Sequence, residues 1–357
     1  MGGTSSSLSP RERVSRCMRG LKPDKLPTVV INSNTFMCQY YGVSVEDYLQ
    51  KAQVCADLNI RFIEEFQVDS DILATGYIFY GAGPEMGVEW KFTGQNFPGN
   101  VAGPIVEKAD LAKMKVPQAP SGYFLTYLEA IAQICRPLGD SHHLKASFLG
   151  PFSLNCFLRG AEQALLDMVE EPVFFAESME FCTELSVYLG KHLLQTGLRY
   201  PILNEIFLAP GMMSPSSYYA DIFSSIMEVQ RRLGVELACN SFTFMGLPDK
   251  PASRKLDKAL FSAFFGVGES LEAMKAGSIY RAPGYPYPAA VSGRALNNWD
   301  SGRIISYLEE ALPLLIEQEN IWPSISYASV QADSKAKADE IAAKIKAVNA
   351  FRDQYQL

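Results

Sequence analysis

Three side chains that can do chemistry lie at or near the ends of predicted strands. Glu205 lies in the run 203–207, Cys239 lies in the run 235–240, and Asp71 follows an earlier strand-like segment. In an α/β barrel, the catalytic groups sit at the carboxyl ends of the strands. We therefore predict that Glu205, Cys239 and Asp71 belong to one site at that end of a barrel.

The residue types limit what these groups can do. Glu205 lies in a mainly apolar run, and a buried glutamate is rare unless it is paired. It therefore either meets a cation or a metal, or keeps its proton and acts as an acid. Asp71 is either a loop or helix-capping carboxylate, or a general acid and hydrogen-bond acceptor for a substrate. Cys239 is either one more buried thiol or a metal ligand.

Further polar and aromatic residues are candidates for holding a substrate. Tyr327, on the last predicted strand, is placed to donate its hydroxyl to a phenolate or ether oxygen, and we predict a catalytic role for it. Aromatic residues in the loops either fill the core under a lid or form a platform for an aromatic substrate. The residues that we assign to substrate binding are Asn34, Tyr80, Trp90, Asn204 and Asn240.

The histidines are weak candidates. His142 and His143 precede the predicted strand 144–149, which places them at the stabilising end of a barrel, and His192 lies inside a long predicted helix. Proton transfer is therefore expected to fall to carboxylates, tyrosines or a metal.

The elements that position these residues alternate between strands and helices. Strands are predicted at 28–32, 62–66, 144–149, 202–207, 235–239, 261–265, 289–292 and 322–327, most of them followed by a predicted helix. This alternation favours a single (β/α)8 barrel, and no Gly-x-Gly-x-x-Gly or P-loop follows the first strand. A helix at 9–20, with Ser9 as its N-cap, forms a short N-terminal extension. We predict a disordered stretch at 1–8 and one barrel domain at 9–357.

Composition excludes several classes of function. The chain has 357 residues, 48% of them hydrophobic, and a net charge of −7, so it offers no basic surface for nucleic acid or for an anionic membrane. No apolar run approaches the roughly 18 residues of a membrane span, and no secretory signal is visible. Seven cysteines without a Cys-x-x-Cys pair indicate reduced thiols and a cytoplasmic location.

Short motifs carry a family resemblance. They are Gly150-Pro151-Phe152-Ser153, Arg159-Gly160-Ala161-Glu162, Leu166-Asp167-Met168, Glu171-Pro172, Gly197, Ser214-Pro215 with Tyr218, and Asp69-Ser70-Asp71-Ile72-Leu73. In order and spacing, over roughly residues 9–330, the chain resembles the uroporphyrinogen decarboxylase superfamily. The resemblance implies a (β/α)8 barrel and, by position, a catalytic role for Asp71. The superfamily contains the true decarboxylases and cobalamin-dependent methyltransferases.

Two departures from the family pattern narrow the function. True decarboxylases carry arginines after the first strand for the carboxylates of their substrate, whereas residues 32–37 contain no cation. The methyltransferases typically hold zinc by a His-x-Cys and a later Cys. This chain keeps Cys239, has Leu237 in place of the histidine and lacks the last cysteine. Either zinc is held by another set that includes Glu205 and Cys239, or the site is metal-free.

The resemblance and its departures favour a corrinoid-dependent methyltransferase. It would demethylate a small methyl donor, with an aryl methyl ether as first choice, and pass the methyl group to cobalamin on a separate corrinoid protein. The alternatives are a methylcorrinoid:thiol or methylcorrinoid:tetrahydrofolate methyltransferase, and a barrel that binds a tetrapyrrole or corrinoid without turnover. A homodimer is left open.

Overall fold

The structure, a computed structural model, describes residues 7–31, 33–74, 83–92, 99–207, 221–234, 238–241, 288–317, 322–328, 330–355 and 357. The strands are β1 Thr28–Ile31, β2 Ser70–Ile72, β3 Glu89–Lys91, β4 Gly99–Ala102, β5 His143–Leu149, β6 Tyr200–Glu205, β7 Ala238–Ser241, β8 Pro288–Ser292 and β9 Ser324–Ala328. The helices are α1 Pro10–Met18, α2 Asn34–Tyr41, α3 Val45–Gln50, α4 Ala52–Glu65, α5 Lys108–Leu111, α6 Gly122–Leu138, α7 Pro151–Arg159, α8 Ala161–Glu170, α9 Pro172–Leu194, α10 Phe223–Leu233, α11 Gly293–Asn298, α12 Ser301–Glu317 and α13 Lys335–Gln354.

Seven strands form one parallel sheet in the order β7-β6-β5-β2-β1-β9-β8. Described helices lie between β1 and β2, β2 and β5, β5 and β6, β6 and β7, and β8 and β9, which is the order and direction of a (β/α)8 barrel. The predicted strand 261–265, which would fall between β7 and β8 in the chain, lies outside the described residues. The predicted α/β class is confirmed. The strands β3 and β4 form a separate antiparallel pair.

The pleat of β5 sorts its side chains between two environments. All seven of its residues are buried. The ring of Phe148 packs against α9, where a Cβ placed on Gly190 would lie 3.0 Å from it. Since successive side chains of a strand point to opposite faces, one set faces the helices and consists of Leu144, Ala146 and Phe148. The other set faces the barrel interior and consists of His143, Lys145 and Ser147.

One predicted strand differs from the observed structure. Residues 62–66 are not a strand, because Phe62 and Ile63 belong to α4, whose buried residues recur at helical spacing, and the second strand is Ser70–Ile72. The apolar run alone does not distinguish a short buried strand from the end of a buried helix. The predicted N-terminal helix is confirmed, since the Ser9 side chain accepts a hydrogen bond from the backbone N–H of Glu12.

A buried ion cluster joins both ends of the chain to the amino end of the sheet. Asp69, just before β2, pairs with Arg13 of α1 and lies 3.9 Å from Arg352 of α13. Its other oxygen accepts a hydrogen bond of 2.7 Å from the backbone N–H of Thr28 in β1. All three charged side chains are buried. One carboxylate therefore connects the first helix, the last helix and two strands.

We predict that Asp69→Asn lowers the free energy of unfolding by about 3 kcal/mol or more, because it removes the buried carboxylate between two buried guanidinium groups and leaves them only the more exposed carboxylates of Asp24 and Asp353. Urea denaturation measures the change. Asp353→Asn is a matched control, since Asp353 also pairs with Arg352 but is 41% exposed, and it should change stability by no more than about 0.5 kcal/mol. Equal losses in both variants would contradict the role given to Asp69.

Candidate functional site

A polar stripe faces the interior of the barrel along β5. It consists of His143, Lys145 and Ser147, and Ser70 of β2 lies beside it. The Ser70 hydroxyl and His143 Nδ1 are 3.1 Å apart, and the imidazole stacks on Tyr200 of β6 with ring centres 3.9 Å apart. His143 Nε2 is buried without a hydrogen-bond partner among the described residues. Barrel interiors are usually filled by branched apolar side chains, so a buried polar stripe at these positions differs from ordinary barrel packing.

Lys145 is the main residue that sequence reasoning missed. Its side chain is only 4% exposed. Burial lowers the pKa of Lys145 to about 7, and the nearby carboxyl of Asp71 opposes that shift. Burial, with the charge of Lys145, also lowers the pKa of His143 to about 3. The available signal was the alternation of polar and apolar residues through 143–148, which is typical of a strand with one polar face.

Asp71 lies on β2, next to β5, and on the opposite face of the sheet from the polar stripe. The register pairs it with Leu144 and pairs the next residue, Ile72, with Lys145, so Asp71 takes a helix-facing position. Both carboxyl oxygens are buried without a hydrogen-bond partner in the described part of the chain. Burial raises the pKa of Asp71 to about 8, although the charge of Lys145 acts in the opposite direction. At neutral pH the carboxyl is therefore mainly protonated.

Glu205 closes the junction between β6 and α7. Its carboxylate accepts hydrogen bonds from the backbone N–H groups of Phe152 (3.1 Å) and Ser153 (2.7 Å) and from the Ser153 hydroxyl (2.7 Å). Burial raises the pKa of Glu205 to about 7, and these hydrogen bonds oppose the shift. A Cβ on Gly150 would lie 2.3 Å from the carboxylate, so this approach requires glycine.

These contacts make Glu205 a cap for α7 on the helix-facing side of the sheet. The register places it in line with Leu203, which pairs with the helix-facing Phe148. The hydroxyl of Ser153 also accepts a hydrogen bond of 2.8 Å from the backbone N–H of Ile206, so it links the start of α7 to the chain just after β6. The catalytic and metal-binding roles predicted for Glu205 gain no support from this environment and stay predictions.

The remaining predicted residues fall in different environments. Asn204 takes an inner-face position opposite Leu149, at the carboxyl end of β5, and its Oδ1 is buried without a partner among the described residues. Tyr327 takes a helix-facing position opposite Val30, in the buried core. Asn34 accepts a hydrogen bond of 2.9 Å from the hydroxyl of Tyr48. Trp90 packs on Tyr123 with ring centres 5.2 Å apart. Tyr80 lies outside the described residues.

The predicted metal ligands share neighbouring strands. Cys239 and Asn240 belong to β7, where they pair with Leu203 and Asn204 of β6. Their side chains lie outside what the structure describes, so their roles stay predictions. Within the described ranges, no three or more histidine, cysteine, aspartate or glutamate side chains converge on a metal position. The described residues therefore do not supply a zinc site.

The comparisons with known proteins agree with this architecture. The family model for uroporphyrinogen decarboxylase (URO-D) matches residues 9–239, more than half of the chain. The chain belongs to the URO-D family. A search of curated proteins finds no match to this URO-D family member. None of its described helices is both long and apolar enough to cross a membrane.

Of two solved structures that match this chain, one shares its fold. A methyltransferase from Methanosarcina mazei is 16% identical and matches with a TM-score of 0.74, over 97% of this chain and 99% of that chain. A B12-independent methionine synthase from Shewanella sp. W3-18-1, in complex with selenomethionine, is 11% identical with a TM-score of 0.48, over 92% of this chain and 98% of that chain. The first match supports the barrel architecture, and the second carries no argument.

We predict that Glu205→Gln lowers the free energy of unfolding by about 1–2 kcal/mol, because an amide nitrogen then faces backbone N–H donors at the start of α7. Ser153→Ala removes the hydroxyl from the same junction and should cost a similar amount. The two losses should be less than additive in a double-mutant cycle measured by urea denaturation. A Glu205→Gln protein as stable as the wild type would show that the cap does not hold this junction together.

Proposed function

We propose that this URO-D family chain is a methyltransferase that removes the methyl group of a small aryl methyl ether. The observation that carries the proposal is the inner face of the described strands, which presents hydroxyl, amide and amine groups but, within the described residues, no cluster of cations of the kind that a polycarboxylate needs. Residues 32–37 contain no lysine or arginine, and burial draws His143 and Lys145 toward their neutral forms. A small substrate with few charges suits this interior better than a tetrapyrrole.

Asn204 is placed to hold the oxygen of the substrate. It lies at an inner-face position at the carboxyl end of β6, where a barrel keeps its chemistry. Its buried amide oxygen has no partner among the described residues, and buried polar groups are normally paired. A bound ligand would supply that partner, and the amide offers both a donor and an acceptor to oxygens of a methoxylated ring.

The methyl acceptor in this proposal is the cobalamin of a separate corrinoid protein. This part rests on the resemblance to cobalamin-dependent methyltransferases and on the Methanosarcina mazei methyltransferase that shares the fold. When bound, the corrinoid supplies the nucleophile for the methyl group. The chain itself binds and orients the ether, and Asp71 acts on the interior only through Lys145, because it takes a helix-facing position.

A panel of methoxyarenes with reduced cobalamin tests the reaction. We expect release of the corresponding phenol, which chromatography measures, and we expect no release when the protein is omitted. Asn204→Ala should lower the rate about tenfold or more, since it removes a hydrogen bond made inside a desolvated site. Asn349→Ala is the matched control, because Asn349 also has a buried amide oxygen without a partner in the described chain, but lies on α13 and donates to Phe66.

The outcomes separate the candidate functions. Phenol release that depends on Asn204 but not on Asn349 supports the proposal. If methyl groups move only from a methylated corrinoid to a thiol or to tetrahydrofolate, the reverse half-reaction is the function. If no methyl group moves in either direction while a corrinoid or tetrapyrrole still binds, the barrel is a binding protein.

We predict that purified protein forms no detectable coproporphyrinogen from uroporphyrinogen. The neutral segment 32–37 offers no charge-assisted hydrogen bonds to carboxylates, and Lys145 is the only lysine or arginine in the seven described strands of the parallel sheet. Fluorescence of the oxidised porphyrin products measures the reaction. Measurable product would refute the argument from carboxylate pairing, even though the chain belongs to the URO-D family.

A further inference from the structure

Four exposed apolar side chains lie together where α8 meets α9. Val106, Val169 and Val173 are 71%, 75% and 74% exposed, which makes them the three most exposed large apolar side chains among the described residues, and Leu166 is 41% exposed. Single apolar side chains are common at protein surfaces, whereas a cluster of them is typical of an interaction site. We call these four residues the apolar patch.

Two ion pairs hold the loop before α5 against the corner between α8 and α9. Arg159 binds Asp167 of α8 over 2.7 Å and also donates to the carbonyl of Val106. Lys108 pairs over 2.6 Å with Glu171, the residue between the two helices. The other three members of the apolar patch lie within eight residues of one another around that corner. The apolar patch is therefore one surface built from three segments of chain.

The apolar patch lies at the carboxyl end of the sheet, where a barrel has its mouth. In the chain, α7 begins directly after β5, α8 follows it, and α9 leads back to the start of β6. The 23 residues of α9 span about 34 Å, whereas the seven residues of β5 span about 23 Å. The first turn of α9 therefore extends past the carboxyl end of the sheet. A molecule bound to the apolar patch lies beside the mouth.

The charges around the apolar patch are acidic. Residues 161–190 contain no lysine or arginine. Glu171 pairs with Lys108, and Glu184 pairs with Arg232. Four further exposed glutamates of α8 and α9 form no salt bridge with a described residue, and we call them the acidic rim. They are Glu162, Glu170, Glu177 and Glu180. An apolar centre with a polar rim is the usual anatomy of a protein–protein interface.

We propose that the apolar patch and the acidic rim form a docking surface for a separate protein, whose contact face carries apolar side chains within a rim of lysine and arginine. Opposite charges across an interface speed the encounter and exclude wrong partners. A second copy of this chain fits poorly, because a twofold contact would bring the acidic rims of both copies together. The small apolar centre suits a partner that binds and leaves, since stable interfaces use about 20–30 residues on each side.

The proposed function requires a partner of this kind. The protein that carries the methyl acceptor must reach the mouth of the barrel and leave after each transfer, and a surface beside the mouth suits that cycle. This role of the partner rests on the proposed function. The position, exposure and charge of the docking surface do not.

Fluorescence anisotropy of a labelled amphipathic helix tests the docking surface without any methyl transfer. The probe is a synthetic helix of leucine and lysine, and a helix of leucine and glutamate is the control probe. We expect the lysine probe to bind at least tenfold more tightly than the glutamate probe at low salt. Its affinity should fall as salt is added, because surface charges are screened.

A pair of double variants locates the binding. Val173→Ser with Glu177→Lys should weaken binding of the lysine probe at least tenfold, since it removes an apolar contact and reverses a charge of the acidic rim. Leu125→Ser with Glu129→Lys is the matched control, because α6 exposes this apolar residue and this acid at the same spacing. It makes the same change in net charge and should alter the affinity less than twofold. Both proteins should fold, because all four side chains are exposed.

Three results would overturn the docking surface. They are no binding of the lysine probe, equal weakening in the two double variants, and full affinity in Val173→Ser alone, which would reduce the attraction to charge. Sedimentation of the wild-type protein tests the other occupant. A dimer that Val173→Ser converts to a monomer would assign the apolar patch to a second copy and overturn the partner proposed here.

Failure of this inference and failure of the proposed function give different results. Free cobalamin needs no docking surface, so Val173→Ser with Glu177→Lys should release phenol from a methoxyarene at the wild-type rate. Probe binding that depends on the apolar patch, without phenol release, would support the docking surface and overturn the methyl-transfer function. Phenol release without probe binding would overturn the docking surface alone.

Discussion

The site depends on one constraint, which is that successive side chains of β5 point to opposite faces of the sheet. A strand buried on both faces must send alternate side chains to the helices and to the barrel interior. In β5 the residues Leu144, Ala146 and Phe148 face the helices, as Phe148 does against Gly190, and the polar residues His143, Lys145 and Ser147 face the interior together with Leu149. A shift of the register by one residue would exchange the two sets and place Lys145 among the helices.

That register is fixed by contacts at both ends of the strand. At the carboxyl end, the carboxylate of Glu205 binds the first turn of α7, and the backbone N–H of Gly150 donates to the carbonyl of Asn204 over 3.0 Å. At the amino end, the backbone N–H of His143 donates to the carbonyl of Asp69 over 3.1 Å. The inner-face positions of Lys145 and Asn204 follow from this fixed alignment.

The sequence predicts the architecture better than it predicts the site. The order of strands and helices follows from hydrophobic periodicity and caps such as Ser9, but residues 62–66 were assigned to a strand because a short apolar run fits both types of element. At the site, the sequence places Glu205 correctly at the carboxyl end of its strand, but Asp71 lies inside β2 and not after a strand, and the direction of each side chain is not predicted. Glu205 and Asn204 are adjacent in sequence, yet because of the pleat Glu205 faces the helices and Asn204 faces the barrel interior. Lys145 was missed because it lies in mid-strand and not at a strand end.

The ion cluster at Asp69 has a consequence for how the chain reaches its final form. Its two guanidinium groups come from helices at opposite ends of the sequence, Arg13 in α1 and Arg352 in α13. A nascent chain emerges from the ribosome amino end first, so Asp69 can meet Arg13 early and Arg352 only after the strands and helices between them have been made. The ion cluster at the amino end of the sheet is therefore completed only when α13 docks, which couples the packing of α13 to the first strands of the sheet.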